Sequence, residues 1–437
     1  MKRILPFLLV LLTACHSAEK PEDNTPATPE DLTYANRTII YECNERLFAN
    51  SKSFQAIQRY LPVLEEMGVE VLWLMPIHPR GTVNSVGSPY CVRDFCDIES
   101  NFGTKDDLRA LINDAHGRGM RVILDWVANH TAWDHGWVER HPDWYEEAET
   151  ADEHGWNDVA FLNYDLQAVC DTMTDCMLYW VNEFGIDGFR CDYAHGVPQQ
   201  FWQSAITAVR AARPGALFIA ETSQASYYKA DFDLLYSWNY LAGIQGFYAG
   251  RKTFKQLLTT SKGEYNLTPE GKERMRYITT HDASAENAPT EFYKNQTGEL
   301  SAFCLTAFLG GIPMIYSSQE IGYMSKINFF NYQKLNFSAD HKITKSMTAL
   351  TKAYKASAHL RTGTQTTGTL TDDVPYIHYA TGDSALLVIC NRKSAEASFT
   401  YPSDFQNKTV TDMLTGESLT LGATGNIKGY GYCVLKR

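Results

Sequence analysis

The 437-residue sequence lacks a Lys/Arg-rich run, a Gly-rich phosphate loop, the Cys or His spacing of a zinc site and, after its first few residues, any apolar stretch long enough to cross a bilayer. Cations are in deficit, with 39 Lys and Arg against 51 Asp and Glu for a formal net charge of −12. Such a surface repels phosphate backbones and anionic lipid, so nucleic acid is excluded as a partner, whereas a neutral polymer is compatible with it. Low-complexity tracts are also missing. With 44% apolar and 21% charged residues, the chain has the composition of a folded protein with room for one large domain and a smaller one.

What is present starts with Met1 to Arg3 and the apolar run Ile4 to Leu12, too short for a span of roughly 20 residues but suited to a signal peptide. The run ends in Leu12-Thr13-Ala14-Cys15, which resembles a bacterial lipobox, in which the cysteine becomes lipidated. The expectation is an exported lipoprotein, periplasmic or at the cell surface, touching the membrane only through a lipid on Cys15. Ordinary cleavage nearby is the alternative. Residues 16–36, rich in Pro, Glu, Asp and Thr, read as a flexible tether. Nine cysteines remain after Cys15, an odd number. Cys91/Cys96 and Cys170/Cys176 are close enough to pair, although scattered cysteines in a large chain are more often buried small hydrophobes.

From Arg37 onward, short apolar strands alternate with amphipathic helices, the rhythm of a parallel sheet with crossover helices. Strands are expected at Thr38 to Tyr41, Val69 to Met75, Val122 to Leu124, Gly185 to Phe189, Leu217 to Ala220, Phe232 to Leu235, Met275 to Thr279 and Ile312 to Tyr316. Helices are expected at Phe54 to Met67 and Lys105 to Arg118. About eight strands over roughly 280 residues predict a (β/α)₈ TIM barrel at residues 37–363, with a doubly wound open sheet as the rival. The pattern breaks at residues 131–164, a polar, Trp-rich insertion after the third strand and longer than an ordinary connection. After Gly363 the period changes to that of strands, at Tyr376 to Tyr379, Ala385 to Cys390, Ala397 to Tyr401 and Tyr430 to Leu435, which predicts a C-terminal β-sandwich at 364–437.

Carboxylates and histidines gather where strands end, which in a barrel is where the site is built. The two-residue strand period puts Arg190 and Asp192 on one face, so a cation is expected to keep Asp192 ionised. Glu221 ends the next strand, His281-Asp282 another, and Asp125 to His130 the third. One carboxylate beside a cation and one held protonated by its surroundings are the pair that hydrolysis of a glycosidic bond needs. Asp192 then reads as the nucleophile and Glu221 as the proton donor.

These segments resemble the signature regions of the α-amylase family, glycoside hydrolase family 13, in the right order. Asp125 to His130 matches D-x-V-x-N-H, Gly188 to Asp192 matches G-F-R-x-D, and His281-Asp282 matches H-D. Tyr90 to Asp94, Asn101 to Thr104, Leu162-Asn163 and Gly311 to Glu320 are weaker matches. The resemblance implies a retaining mechanism with Asp192 as nucleophile, Glu221 as acid/base and Asp282 as the carboxylate that grips sugar hydroxyls, the catalytic carboxyl groups being roughly 5 Å apart. It implies further that Arg190 positions the nucleophile, that His130 and His281 bind sugar hydroxyls, that Tyr90 stacks under the ring, and that His195 lies on the leaving-group side. Asn129 matches a calcium ligand of family members, so Ca2+ has a candidate ligand, while no cofactor is required. Two departures stand out: Thr280 occupies a usual Asn position and Ser318 a usual Gly position.

The activity implied is hydrolysis of α-1,4-glucosidic bonds in an α-glucan such as starch or maltooligosaccharides. Transglycosylation, exo-acting α-glucosidase activity and non-catalytic glucan binding are the alternatives. Trp133, Trp137, Trp144 and Trp156 in the insertion either stack on sugars or form the insertion's own core, the latter for most of them.

Overall fold

The computed structural model describes residues 38–146 and 155–437; Cys15, the signal segment and the tether lie outside them. Eight parallel strands close into a barrel: β1 (Ile40–Cys43), β2 (Val71–Leu74), β3 (Arg121–Trp126), β4 (Gly188–Cys191), β5 (Leu217–Ala220), β6 (Leu234–Leu235), β7 (Glu273–Arg276) and β8 (Ile312–Tyr316). Each pairs with its neighbour in sequence, and β1 closes on β8 with Ile40 opposite Met314. The open-sheet rival is thereby excluded. Strands of this barrel are buried on both faces, which is why they read as unbroken apolar runs. One face packs inward, with Ile40, Val71, Ile123, Ile219 and Met275 in a single cluster, and the other packs on the surrounding helices.

The helix Ser53–Glu66 buries Phe54, Ile57, Leu61 and Leu64, and Lys105–Gly117 buries Leu108, Leu111, Ile112 and Ala115, both with the period of an amphipathic helix. The second starts at Thr104, whose side chain and that of Asp107 form a reciprocal capping box.

Strand edges depart from expectation for local reasons. Gly185 was expected to open β4, but it caps the preceding helix Gln167–Phe184 with a left-handed backbone at φ 70°, and the strand starts at Gly188. β7 begins earlier than the apolar run from Met275 suggests, because the buried Arg274 and Arg276 lie within it. β6 keeps only Leu234–Leu235.

From Thr364 the chain forms a six-stranded antiparallel sheet and a two-stranded ribbon, Ala397–Thr400 with Thr424–Ile427. Phe399, Phe405 and Ile427 seal the ribbon against Leu387, Ile389 and Leu435 of the sheet. Its other face joins the barrel's own core through Ile377, Leu386, Val388 and Val434. The Tyr379 hydroxyl donates to the Phe308 carbonyl at 2.9 Å, and Arg392 Nη1 to that of Phe247 at 2.7 Å. The nine described cysteines are free thiols, so neither expected pair is bonded; thiols within hydrogen-bonding reach of each other are instead those of Cys96 and Cys176 and those of Cys304 and Cys390.

Candidate active site

The ends of β1, β3, β4, β5 and β7 meet around one buried cation. Arg190 follows Gly188, whose backbone sits at φ 144° and whose position a Cβ cannot enter, since it would lie 1.9 Å from the Leu217 carbonyl oxygen. That close approach of β4 to β5 aims Arg190 and Asp192 at the mouth of the barrel. Arg190 Nη1 donates to Asp125 Oδ1 and to Asp192 Oδ1, each at 2.8 Å, Nη2 is 2.9 Å from Glu221 Oε1, and Nε donates to the Tyr236 hydroxyl at 3.0 Å. The rings of Trp73, Tyr90 and Tyr236 surround the guanidinium. Burial opposes its charge, yet Asp125 and Glu221 more than offset that and hold its pKa well above the ordinary value.

This arrangement corrects the expected role of the cation. Arg190 serves both Asp192 and Glu221 rather than Asp192 alone, and Asp192 is not held low: desolvation outweighs Arg190 and raises it to about 6. Asp125, fully buried, is likewise raised to about 6, with burial first and Arg190 opposing. Glu221 goes higher, to about 7, through burial and the nearby Asp192 and Asp282, although Arg190 and the Tyr193 N–H counteract. That N–H reaches Glu221 Oε2 at 2.7 Å because Tyr193 takes a left-handed backbone, φ 40°, directly after Asp192.

Asp192, Glu221 and Asp282 all line one cavity of about 460 Å³ at the mouth of the barrel, together with Tyr90, His130, His195 and His281. Arg190 and Asp125 lie buried behind its lining, held to Asp192, Glu221 and Tyr90. The Tyr90 hydroxyl donates to Asp125 Oδ2 at 3.1 Å and is 2.9 Å from His281 Nε2, and the two rings stack at 5.3 Å. His281 Nε2 is 3.3 Å from Asp282 Oδ2. Asp282, with its side chain 54% exposed, is the open member of the trio, against 12% for each of the other two. His130 has neighbours at both nitrogens, the Tyr90 carbonyl at 3.2 Å and Asn129 Nδ2 at 3.2 Å. His195 stands at the far wall, its ring 4.1 Å from that of Tyr193.

The model for the domain described as Alpha amylase, catalytic domain, matches residues 48–159. Alpha-amylase MalA of Haloarcula japonica is 31% identical over 329 residues, 70% of this chain and 46% of that protein. The cyclomaltodextrinase of Geobacillus thermopakistaniensis is 27% identical over 398 residues, covering 83% of this chain and 66% of that protein. The crystal structure of the maltogenic α-amylase AmyB from Thermotoga neapolitana superposes with a TM-score of 0.80 at 25% identity, over 92% of this chain and 99% of that one. The chain belongs to the α-amylase family. It spans 46% and 66% of the length of the two curated relatives.

Both departures from the family's pattern have a local account. Thr280 caps the helix His281–Glu286, its hydroxyl accepting from the Ala283 N–H at 3.2 Å, a task Asn also performs. Ser318 sits at φ 118°, a backbone that favours glycine, and its N–H is held by Glu320 Oε2 at 3.1 Å. In this α-amylase-family barrel the insertion's Trp137 and Trp144 are buried against each other at 5.5 Å, and Trp133 donates its indole N–H to the Asn157 carbonyl. Trp156, 38% exposed, lines the cavity. Sequence reasoning missed Glu42, Trp73 and Tyr236, which hold His281, Asp125 and Arg190 from behind, and Trp238, Phe329 and Phe330 in the walls. Asn129 is buried against His130, and among the described residues no group of three or more Asp, Glu, His or Cys side chains is placed to hold a metal ion.

Proposed function

We propose that the protein is a retaining α-glucan hydrolase that cleaves α-1,4-glucosidic bonds in starch or maltooligosaccharides. The observation that carries this reading is the single guanidinium shared by Asp192 and Glu221, which holds two carboxyl groups at one cavity wall, close together as double displacement needs. Asp192 attacks the anomeric carbon as the bond to the leaving oxygen breaks, and Glu221 gives that oxygen its proton. A water then attacks the glucosyl carbon, passes a proton to Glu221, and Asp192 leaves as a carboxylate. Asp282, exposed opposite them and braced by His281, grips sugar hydroxyls; Tyr90 presents its ring to the sugar, and His130, His281 and His195 bind hydroxyls along the wall. No cofactor takes part in these steps.

Incubation with amylose, pullulan, trehalose and sucrose tests the reading, with maltooligosaccharides expected from amylose. Asp192→Asn is expected to lower kcat by about 10³-fold or more while sparing glucan binding, and unchanged turnover would overturn the assignment. Conversion of maltotriose into longer chains would instead make the enzyme a transglycosylase. The motif ending at Cys15 supports an exported protein held to a membrane by a lipid on that cysteine. Radiolabelled lipid is expected to enter the wild type and not a Cys15→Ala variant; label in both, or in neither, refutes the anchor.

A further inference from the structure

Glu42 is a wholly buried carboxylate at the end of β1, 239 positions before the imidazole it touches. Strand alternation puts it on the inward face with Ile40, and the register sets it between Trp73 of β2 and Tyr316 of β8. A buried carboxylate costs several kcal/mol unless a charged or donor group meets it. The group that meets it is His281 Nδ1, at 2.5 Å from Oε1, and Oε2 has no hydrogen-bond partner among the described residues.

The other ring nitrogen makes the contact informative. Nε2 faces the Tyr90 oxygen at 2.9 Å and Asp282 Oδ2 at 3.3 Å. Tyr90 spends its own proton on Asp125 Oδ2, so it accepts from His281 rather than donating to it. Both imidazole nitrogens therefore face acceptors, which only the doubly protonated ring satisfies. The result is an unbroken chain from Glu42 through His281, Tyr90, Asp125 and Arg190 to Asp192.

We propose that Glu42 is a positioning residue that, by taking the Nδ1–H of His281, locks the ring's Nε2–H onto Tyr90 and Asp282, and so aims the stacking ring and the open carboxylate at the sugar. The inference rests on the proposed glycosidase reading but concerns a residue that never touches substrate. His281 is faced by Glu42 from β1, Tyr90 from the loop after β2, Asp125 from β3, Arg190 from β4 and Asp282 from its own helix, with Trp73 and Phe329 closing the apolar sides. Burial opposes its charge, but Asp282 and Glu42 outweigh burial and Arg190 and raise it to about 9.

The test is Glu42→Gln, read by titration of ¹⁵N-labelled histidine in the full chain and by kinetics on maltooligosaccharides. The amide oxygen still accepts from Nδ1, so the fold is kept while the charge is removed. The His281 midpoint is expected to fall by about one pH unit or more. At neutral pH kcat is expected to fall by about 10-fold or more, and Glu42→Asp to recover part of both effects. An unchanged midpoint, or an unchanged kcat and KM with a lowered midpoint, overturns the proposal. A wild type inactive on every glucan would sink the functional reading, yet the titration would still decide whether Glu42 holds His281 charged.

Discussion

Burial raises the acids around Arg190 unequally, leaving Asp192 at about 6 and Glu221 at about 7. Between these values Asp192 is ionised while Glu221 keeps its proton, the states that the proposed nucleophile and donor need. A bell-shaped profile of kcat/KM is therefore expected, with its acid limb near pH 6 from Asp192 and its basic limb near pH 7 from Glu221. A profile flat from about pH 5 to about pH 9 would remove both assignments. Glu221→Gln preserves the acceptor for the Tyr193 N–H but has no proton to give. Its rate on maltooligosaccharides is expected to drop by about 10³-fold, and far less on an aryl glucoside whose leaving phenol needs no protonation. An equal loss on both substrates would contradict the donor role. At this scale the convergence of Asp192, Glu221 and Asp282 on one cavity was legible because each follows a strand and adjoins Arg190, an apolar run or His281. Glu42 was not, being one acid within an apolar strand, and neither were Trp238 and Phe329, since an aromatic in a loop looks the same in sequence whether it packs inward or walls a cavity.

Elements read well where their physics is local. Leu217–Ala220 and Ile312–Tyr316 fall at the expected residues, because continuous apolar runs bounded by polar or Gly residues leave little freedom for the ends. β7 read poorly because Arg274 and Arg276 find buried partners only in the folded barrel, among them Thr268 and Glu264, which no local pattern announces. Half of the eight strands after Gly363 escaped notice for a related reason: Thr364–Thr371, Thr409–Asp412, Ser418–Thr420 and Thr424–Ile427 are rich in Thr and largely exposed, so they show little alternation. At the element scale the most stringent position is Gly188. Gly188→Ala pits a methyl against the Leu217 carbonyl oxygen at an unfavourable φ, and is expected to cost about 3 kcal/mol or more in urea unfolding. A midpoint matching wild type would mean that β4 slides freely along β5.

For the whole molecule, the buried charges set how stability varies with pH. His281, raised to about 9 by Asp282 and Glu42 against burial, contributes stability that is complete below its ordinary value of 6.5 and is lost as pH rises through about 9. Asp125, Asp192 and Glu221 hold protons in the folded state that the unfolded chain has already released, so each costs stability as pH climbs from about 4 to about 6 or 7. Asp187 opposes this trend, since His116, the Val122 N–H and Arg213 overcome burial and depress it, but its contribution is already complete above about pH 4 and so adds nothing across this interval. Tm is thus expected to be lower at pH 9 than at pH 5, and a rise over that interval would show that these acids are not desolvated as their burial implies.

The shared guanidinium also bears on how such an enzyme acquires a new preference. Because Arg190 ties Asp125, Asp192 and Glu221 into one piece, a change at any one of them disturbs the other two. Variation is left to the rim, where Trp156 from the insertion, Trp238 from a helix and Phe329 from a loop reach the same hollow from separate parts of the chain. Exchange of those rim segments, with Arg190 and its carboxyl partners untouched, is the route by which this barrel would change its diet.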